Sequence, residues 1–350
     1  MQTITTINQI SVEEFLTTLQ KSFTPHGERQ LNSYIERVRK GEIVYLPLIQ
    51  SSLQIVPEDW IEKNYEKMIN LFKALPETYI DPFICLIGRF IPSPHLRSEG
   101  QNIIKNIIIP RFVKNPSHNT LMKLAAGIDL EWFNGNAIQR IAEVSWKVSV
   151  EDGVLINSKL KGSLWERIEE CKMLNDQEKF KAFVLSIQYG NLQMNKVFEY
   201  IRKIGGIREN GINGIDINEK IAYFESINKT HQLLQEIIVH YSIGILPVIK
   251  EIIQIVLTHY SLINVLPPVC NHMVFTTLLY LIKYIKGVLM TSITVILPML
   301  LQFIKNYKMN ERYTTVFVVV KEIVQCISIE MKQFMSKQDL ELFVEIEKEF

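Results

Sequence analysis

The sequence predicts an all-α protein: a HEAT- or armadillo-like solenoid of antiparallel helix pairs, running through residues 1–350 as a single array of about seven pairs. Three observations predict it. Helix-opening signals recur along the chain, each followed by apolar residues at three-to-four spacing. No regular strand–helix alternation is present, which argues against an α/β sheet. A run of aliphatics, a proline and more aliphatics returns four times, at Pro47, Pro110, Pro247 and Pro298. Pro110 to Pro247 is 137 residues, close to three helical units of about 40–47 residues, and Pro247 to Pro298 is 51. Helices that share one core across neighbouring units need larger apolar faces than isolated surface helices, and these segments have them.

Taken in order, Ser11 and Glu14 form a capping box ahead of FLTTLQKSF. Pro57, Glu58 and Asp59 open an amphipathic helix whose apolar face carries Trp60, Tyr65, Met68, Leu71, Phe72 and Leu75. Asn175 with Glu178, and Ser336 with Asp339, open two further helices. The β-branched stretch Thr314–Ile327 has the composition of a buried strand, but its length and its helical neighbours assign it to a helix covered on most sides. The glycine-rich segment 205–220 is the one clear flexible loop.

The most apolar segment is Thr276–Tyr307. Lys283 and Lys286 interrupt it, leaving Gly287–Ile304 uncharged, at the lower length limit for a membrane span. No second segment looks comparable. Gly287, Pro298 and several polar residues weaken the span, and Thr291-Ser292 is placed to start a new helix. Two packed helices meeting near Gly287–Thr291 are therefore expected, with no membrane span.

The chemistry expected is that of binding. A net charge of +1 provides no field for nucleic acid. The cysteines Cys85, Cys171, Cys270 and Cys326 form no CxxC pair and are expected reduced and mostly buried. The N-terminal segment has no basic, apolar signal pattern, which leads to the expectation of a cytoplasmic and nuclear protein. No phosphate-loop, nucleophile-elbow or HExxH motif is found, so neither an enzyme nor a cofactor or metal is expected. The tripeptide His-Tyr-Ser occurs at 240–242 and again at 259–261, and reads as helix-surface or helix-end residues.

Four stretches carry a family resemblance: Met68–Thr78, Leu164–Ile201, His231–Tyr260, and SITVILPMLLQFIKNY within the apolar segment. In order and spacing they resemble the middle-to-C-terminal part of the karyopherin-β nuclear transport receptors, transportin-3/importin-13 branch, over roughly residues 40 to 345. The resemblance implies cargo-protein binding on a concave face, weak contact with nucleoporins, and control by the GTPase Ran. The N-terminal arch that carries the main Ran contact in these receptors has no counterpart, which implies a truncated, split or divergent relative. The receptors' cargo-reading arginine helix would correspond to His272–Lys286. There the positions read His272, Thr276, Leu279 and Ile282, and only Lys286, with Lys283 nearby, is cationic. Lys283 and Lys286 are thus the candidate partner-binding residues, with a solvated helix end as the plainer reading. Recognition of phosphorylated Arg/Ser cargo is not expected.

Overall fold

The computed structural model describes residues 25–74, 80–190, 193–206 and 216–350. Among the described residues every regular element is helical and no strand occurs, in keeping with the all-α expectation. The chain forms two compact units: Met1–Gly162 with Lys172–Leu174, and Ser163–Cys171 with Asn175–Phe350. The capping box at Ser11 and Glu14 lies outside the described residues, as do Leu75 and the side chains of Leu71, Phe72 and Cys85.

The first unit contains α1 (Pro25–Arg39), α2 (Leu46–Ile55), α3 (Glu58–Ala74), α4 (Asp81–Phe90), α5 (Arg97–Ile103), α6 (Ile109–Lys114), α7 (His118–Asp129), α8 (Gly135–Ser145) and α9 (Val150–Ser158). Short polar side chains start the last three. Ser117, Asn134 and Ser149 each accept a backbone N–H three residues on, satisfying one of the donors a helix start leaves open. Their apolar faces, with Phe90, Ile108, Phe112, Leu124 and Ile141, join one buried core. Between α5 and α6 the helix widens into a π turn, Ile104–Ile108. Pro110 explains it: the residue lacks an N–H, and its ring clashes with the carbonyl four residues back in an α-helix.

The second unit contains α10 (Leu164–Glu170), α11 (Asp176–Gln188), α12 (Met194–Lys203), α13 (Ile217–Tyr241), α14 (Ile249–Tyr260), α15 (Pro268–Tyr284), α16 (Ile293–Tyr307), α17 (Thr314–Glu330) and α18 (Lys337–Lys348). The expected capping box at α11 is present in both directions: Asn175 N–H donates to Glu178 Oε2 and Glu178 N–H to Asn175 Oδ1, both at 2.9 Å. Ser336 caps α18 through Asp339 N–H at 3.2 Å. The β-branched stretch is helical, as α17.

Alternate helices pack together here. α13, α15 and α17 form a sequence of neighbours, and α16 lies beside α18. They run parallel, because contacts advance together along both partners. Cys270 Sγ lies 3.5 Å from the Phe224 carbonyl, and Thr277 lies 2.9 Å from His231. Likewise Lys305 pairs with Glu345, and Lys308 with Glu349.

Several expectations need correcting. The loop assigned to 205–220 is shorter: Asp216 caps α13, and Ile217–Lys220 are its first turn. Residues 207–215 lie outside the described residues. Ser292 precedes α16 but makes no side-chain cap bond, since its φ of −109° and ψ of 0° depart from the extended backbone a cap requires. Cys270 is buried, whereas Cys171 and Cys326 are only half-buried.

The apolar segment does split into two helices. α15 ends at Tyr284, Gly287 turns at φ 75°, and α16 begins at Ile293. Among the described residues, the one helical stretch long and apolar enough to cross a membrane is a different one, Ile217–Tyr260, with a mean hydropathy of 1.5 over a window that is 22% buried. It comprises α13 and α14, joined by a 3-10 segment Ser242–Val248 that begins with Ser242 at φ 40°. α13 carries Glu219, Lys220, Glu225, Lys229 and Glu236, and α14 is 12 residues long. Neither helix alone combines spanning length with absence of charge.

Candidate functional site

The site with the most open chemistry is a groove in the first unit, of about 310 Å³, between the α5–α6 helix and α8. The π turn sits at its wall. Gln101, Lys105 and Ile109 follow one another at four-residue spacing down one side, and Asn136 and Arg140 do so down the other. Ile104 and Ala137 are buried beneath it. No carboxylate lines it. Asn134 uses its Oδ1 on the Ala137 N–H at 2.9 Å, which leaves its NH₂ as a donor. Arg140 meets Glu143 at 3.4 Å, both being about half exposed. Lys105, Gln101 and Asn136 have no side-chain ion-pair or hydrogen-bond partner among the described residues. The positive end of the α8 dipole adds to the field of the two cations.

A cleft of about 270 Å³ in the second unit provides a contrast. Its lysines are already engaged internally. Lys179 donates to the Glu169 carbonyl at 2.8 Å, Lys203 pairs with the Glu169 carboxylate at 3.3 Å, and Lys229 lies 5.7 Å over the Phe180 ring. Tyr200 on its wall is pushed up to about 12 by burial, with Asp176 and Glu169 adding to the shift.

Lys283 and Lys286, the residues singled out by the sequence, lie near the C-terminal end of α15 and are exposed. Lys283 pairs with Glu322 and Lys286 with Glu330 at 2.9 Å, so both reach across to α17. The Glu322 carboxylate holds the Lys283 ammonium above its ordinary range. Leu279 and Ile282, two of the positions aligned with cargo-reading arginines, are buried in the core.

The sequence reading missed a polar chain inside the second unit. His231 Nδ1 lies 2.9 Å from Thr277 Oγ1, His231 Nε2 lies 3.0 Å from His259 Nδ1, and His259 Nε2 lies 2.6 Å from the Gly206 carbonyl. Both imidazoles have no exposure. A carbonyl only accepts, so His259 carries its proton on Nε2 and accepts at Nδ1. His231 then donates from Nε2 and accepts at Nδ1, so the single Thr277 hydroxyl proton goes to this ring and not to the Met273 carbonyl, which also lies 2.9 Å away. Gln235 Nε2 closes the chain at 3.0 Å from Thr277 Oγ1, and also serves the Met273 carbonyl at 3.1 Å. Every ring nitrogen is satisfied with both rings neutral, and the Met273 carbonyl keeps its bond from Gln235.

Burial supports that state: it drives His231 well below the usual histidine range, helped by neighbouring His259, and brings His259 down to about 4. The Tyr223 ring stands edge-on to His259 at 6.3 Å. Gly206 is required here, because a Cβ would fall 2.2 Å from Thr230 Oγ1. Both His-Tyr-Ser repeats do end a helix, but the second is not at the surface: His259 and Tyr260 are fully buried. Two lone histidines 28 residues apart leave no motif, so only the packing of α13 against α14 and α15 reveals the pair.

Among the described residues no group of three or more His, Cys, Asp or Glu is placed to hold a metal ion. No protein-family model, curated protein or solved structure matches this chain.

Proposed function

We propose that the chain is a protein-binding scaffold built from stacked antiparallel helix pairs of the HEAT type. One observation carries this reading. In the second unit, the side-chain hydrogen bonds linking alternate helices from α11 to α18 mostly join residues 36 to 49 apart. A recurrent offset of this size, with parallel packing of every second helix, is what a stack of two-helix units requires. Three of the four recurring prolines support it by marking helix starts. Pro47 and Pro110 sit in the first turns of α2 and α6, and Pro247 lies in the 3-10 segment that leads into α14. Pro298 departs from the pattern, lying inside α16.

The finer reading is a divergent nuclear transport receptor, cytoplasmic and nuclear, that carries cargo protein and contacts nucleoporins and Ran. It rests on the resemblance of the four stretches to karyopherin-β proteins. Pull-down with GTP-locked Ran and with a nucleoporin repeat fragment tests it. Capture of either supports transport. Failure of both, with the helical fold intact, removes transport and leaves a general scaffold in a trafficking, kinase or chromatin assembly.

A further inference from the structure

We propose that the groove between α5–α6 and α8 is a docking site for a short acidic peptide segment of a partner protein. The proposal rests on the scaffold reading for its occupant being a protein segment. The groove itself supplies the chemistry. Lys105 from the α5–α6 helix and Arg140 from α8 both line it, no carboxylate does, and Arg140 pairs with Glu143 at 3.4 Å. Arg140 has five N–H donors in a fixed fork, so the single contact to Glu143 leaves donors for a second carboxylate. Lys105 makes no internal pair among the described residues, in contrast to the three lysines of the cleft in the second unit.

Two further features favour a peptide over a free anion. Gln101 and Asn136 each offer a donor and an acceptor, which matches the alternating N–H and C=O of an extended backbone and is wasted on phosphate. Ile104 and Ala137 form an apolar floor suited to the methylenes of a bound side chain. A volume of about 310 Å³ holds a few residues and is small for a large cofactor.

Fluorescence anisotropy on the full chain tests this with a labelled Asp/Glu-rich peptide, a Lys-rich peptide of equal length, and inorganic phosphate as competitor. The acidic peptide is expected to bind, with affinity falling steeply as salt rises. The double variant Lys105→Glu/Arg140→Glu is expected to weaken it at least about tenfold, while Lys105→Arg/Arg140→Lys retains most of it. All the altered side chains are exposed, and circular dichroism checks the fold. A second variant, Gln101→Ala/Asn136→Ala, is expected to weaken binding without changing its salt dependence. Any one of three results overturns the proposal: no acidic-peptide binding, equal binding by the charge-reversed protein, or complete displacement by phosphate. The Ran and nucleoporin pull-down reports separately. Capture there with no peptide binding sinks the groove alone, and peptide binding with no capture sinks transport alone.

Discussion

The two units spend their polar side chains differently. In the first, most groups that join helices lie at the surface, and the buried exception is short-range, Asn157 Nδ2 of α9 on the Ala142 carbonyl of α8 at 3.1 Å. Lys159 meets Asp129 at 2.6 Å, Lys67 meets Asn32 at 2.6 Å, and His118 reaches Asp152 at 2.9 Å while its own side chain stays 64% exposed. The second has exposed pairs of the same kind, Lys286 with Glu330 and Lys305 with Glu345 among them, and adds a long-range linkage through the core, where Thr277, His231, His259 and the Gly206 carbonyl form one chain with no exposure at either ring. Spacing follows the same division. Apart from the short Asn157 link, side-chain links between helices in the first unit span 30 to 38 residues, against mostly 36 to 49 in the second. Surface links leave polar groups available for a partner. A buried chain removes them from binding and uses them to fix the register of α13 on α14 and α15, because any slip leaves a buried donor or acceptor unmet.

Acid should break this contrast most strongly. Both rings are neutral in the folded state, whereas an unfolded histidine takes up its proton near 6.5. Below pH 6.5 the unfolded chain therefore binds more protons, and stability falls as pH falls, down to the folded value of about 4 for His259. A histidine that stays neutral in the folded state costs about 1.4 kcal/mol per pH unit in that window. Hydrogen exchange of backbone amides should show the second unit opening first. His259→Gln should roughly halve the slope, and an unchanged slope would show that the histidines are not its source.

The next effect belongs to the first unit. Gly153 lies under Trp146, and a Cβ there would come within 1.9 Å of the indole. Gly153→Ala should cost about 3 kcal/mol through overpacking, offset by about 1 kcal/mol of helix propensity, and denaturant titration measures the difference. Thr277→Val keeps the shape but takes away the proton donated to His231. It should cost the second unit about 1.5 kcal/mol and leave exchange in the first unit unchanged. Smallest of all, Lys283→Ala and Lys286→Ala break exposed pairs and should change stability by less than about 1 kcal/mol. If these two changes abolish partner capture while thermal melting stays fixed, the lysines act in binding as well as in pairing.

Local signals were legible in the sequence because they act over a few residues. Asn175 with Glu178 announced both of their bonds, Ser336 announced its cap, and Gly287 marked the break between the two helices of the apolar segment. The groove was not legible. Lys105 and Arg140 are ordinary surface cations far apart in the chain, and only the packing of α6 on α8 makes them neighbours of one space. The apolar stretch around Ser242 was missed as a span-like run for a related reason. Its hydropathy comes from two helices and the turn between them, none of which stands out alone.

The π turn at Ile104–Ile108 has a consequence for how this groove tolerates change in length. A π turn carries one residue beyond what an α-helix of the same rise needs. Deleting that residue would leave a regular helix leading into the same downstream turns, but would set the Pro110 ring against the carbonyl four residues before it. A single-residue deletion in this segment should therefore disturb the groove through its backbone, an effect separate from the charge loss that substituting Lys105 brings.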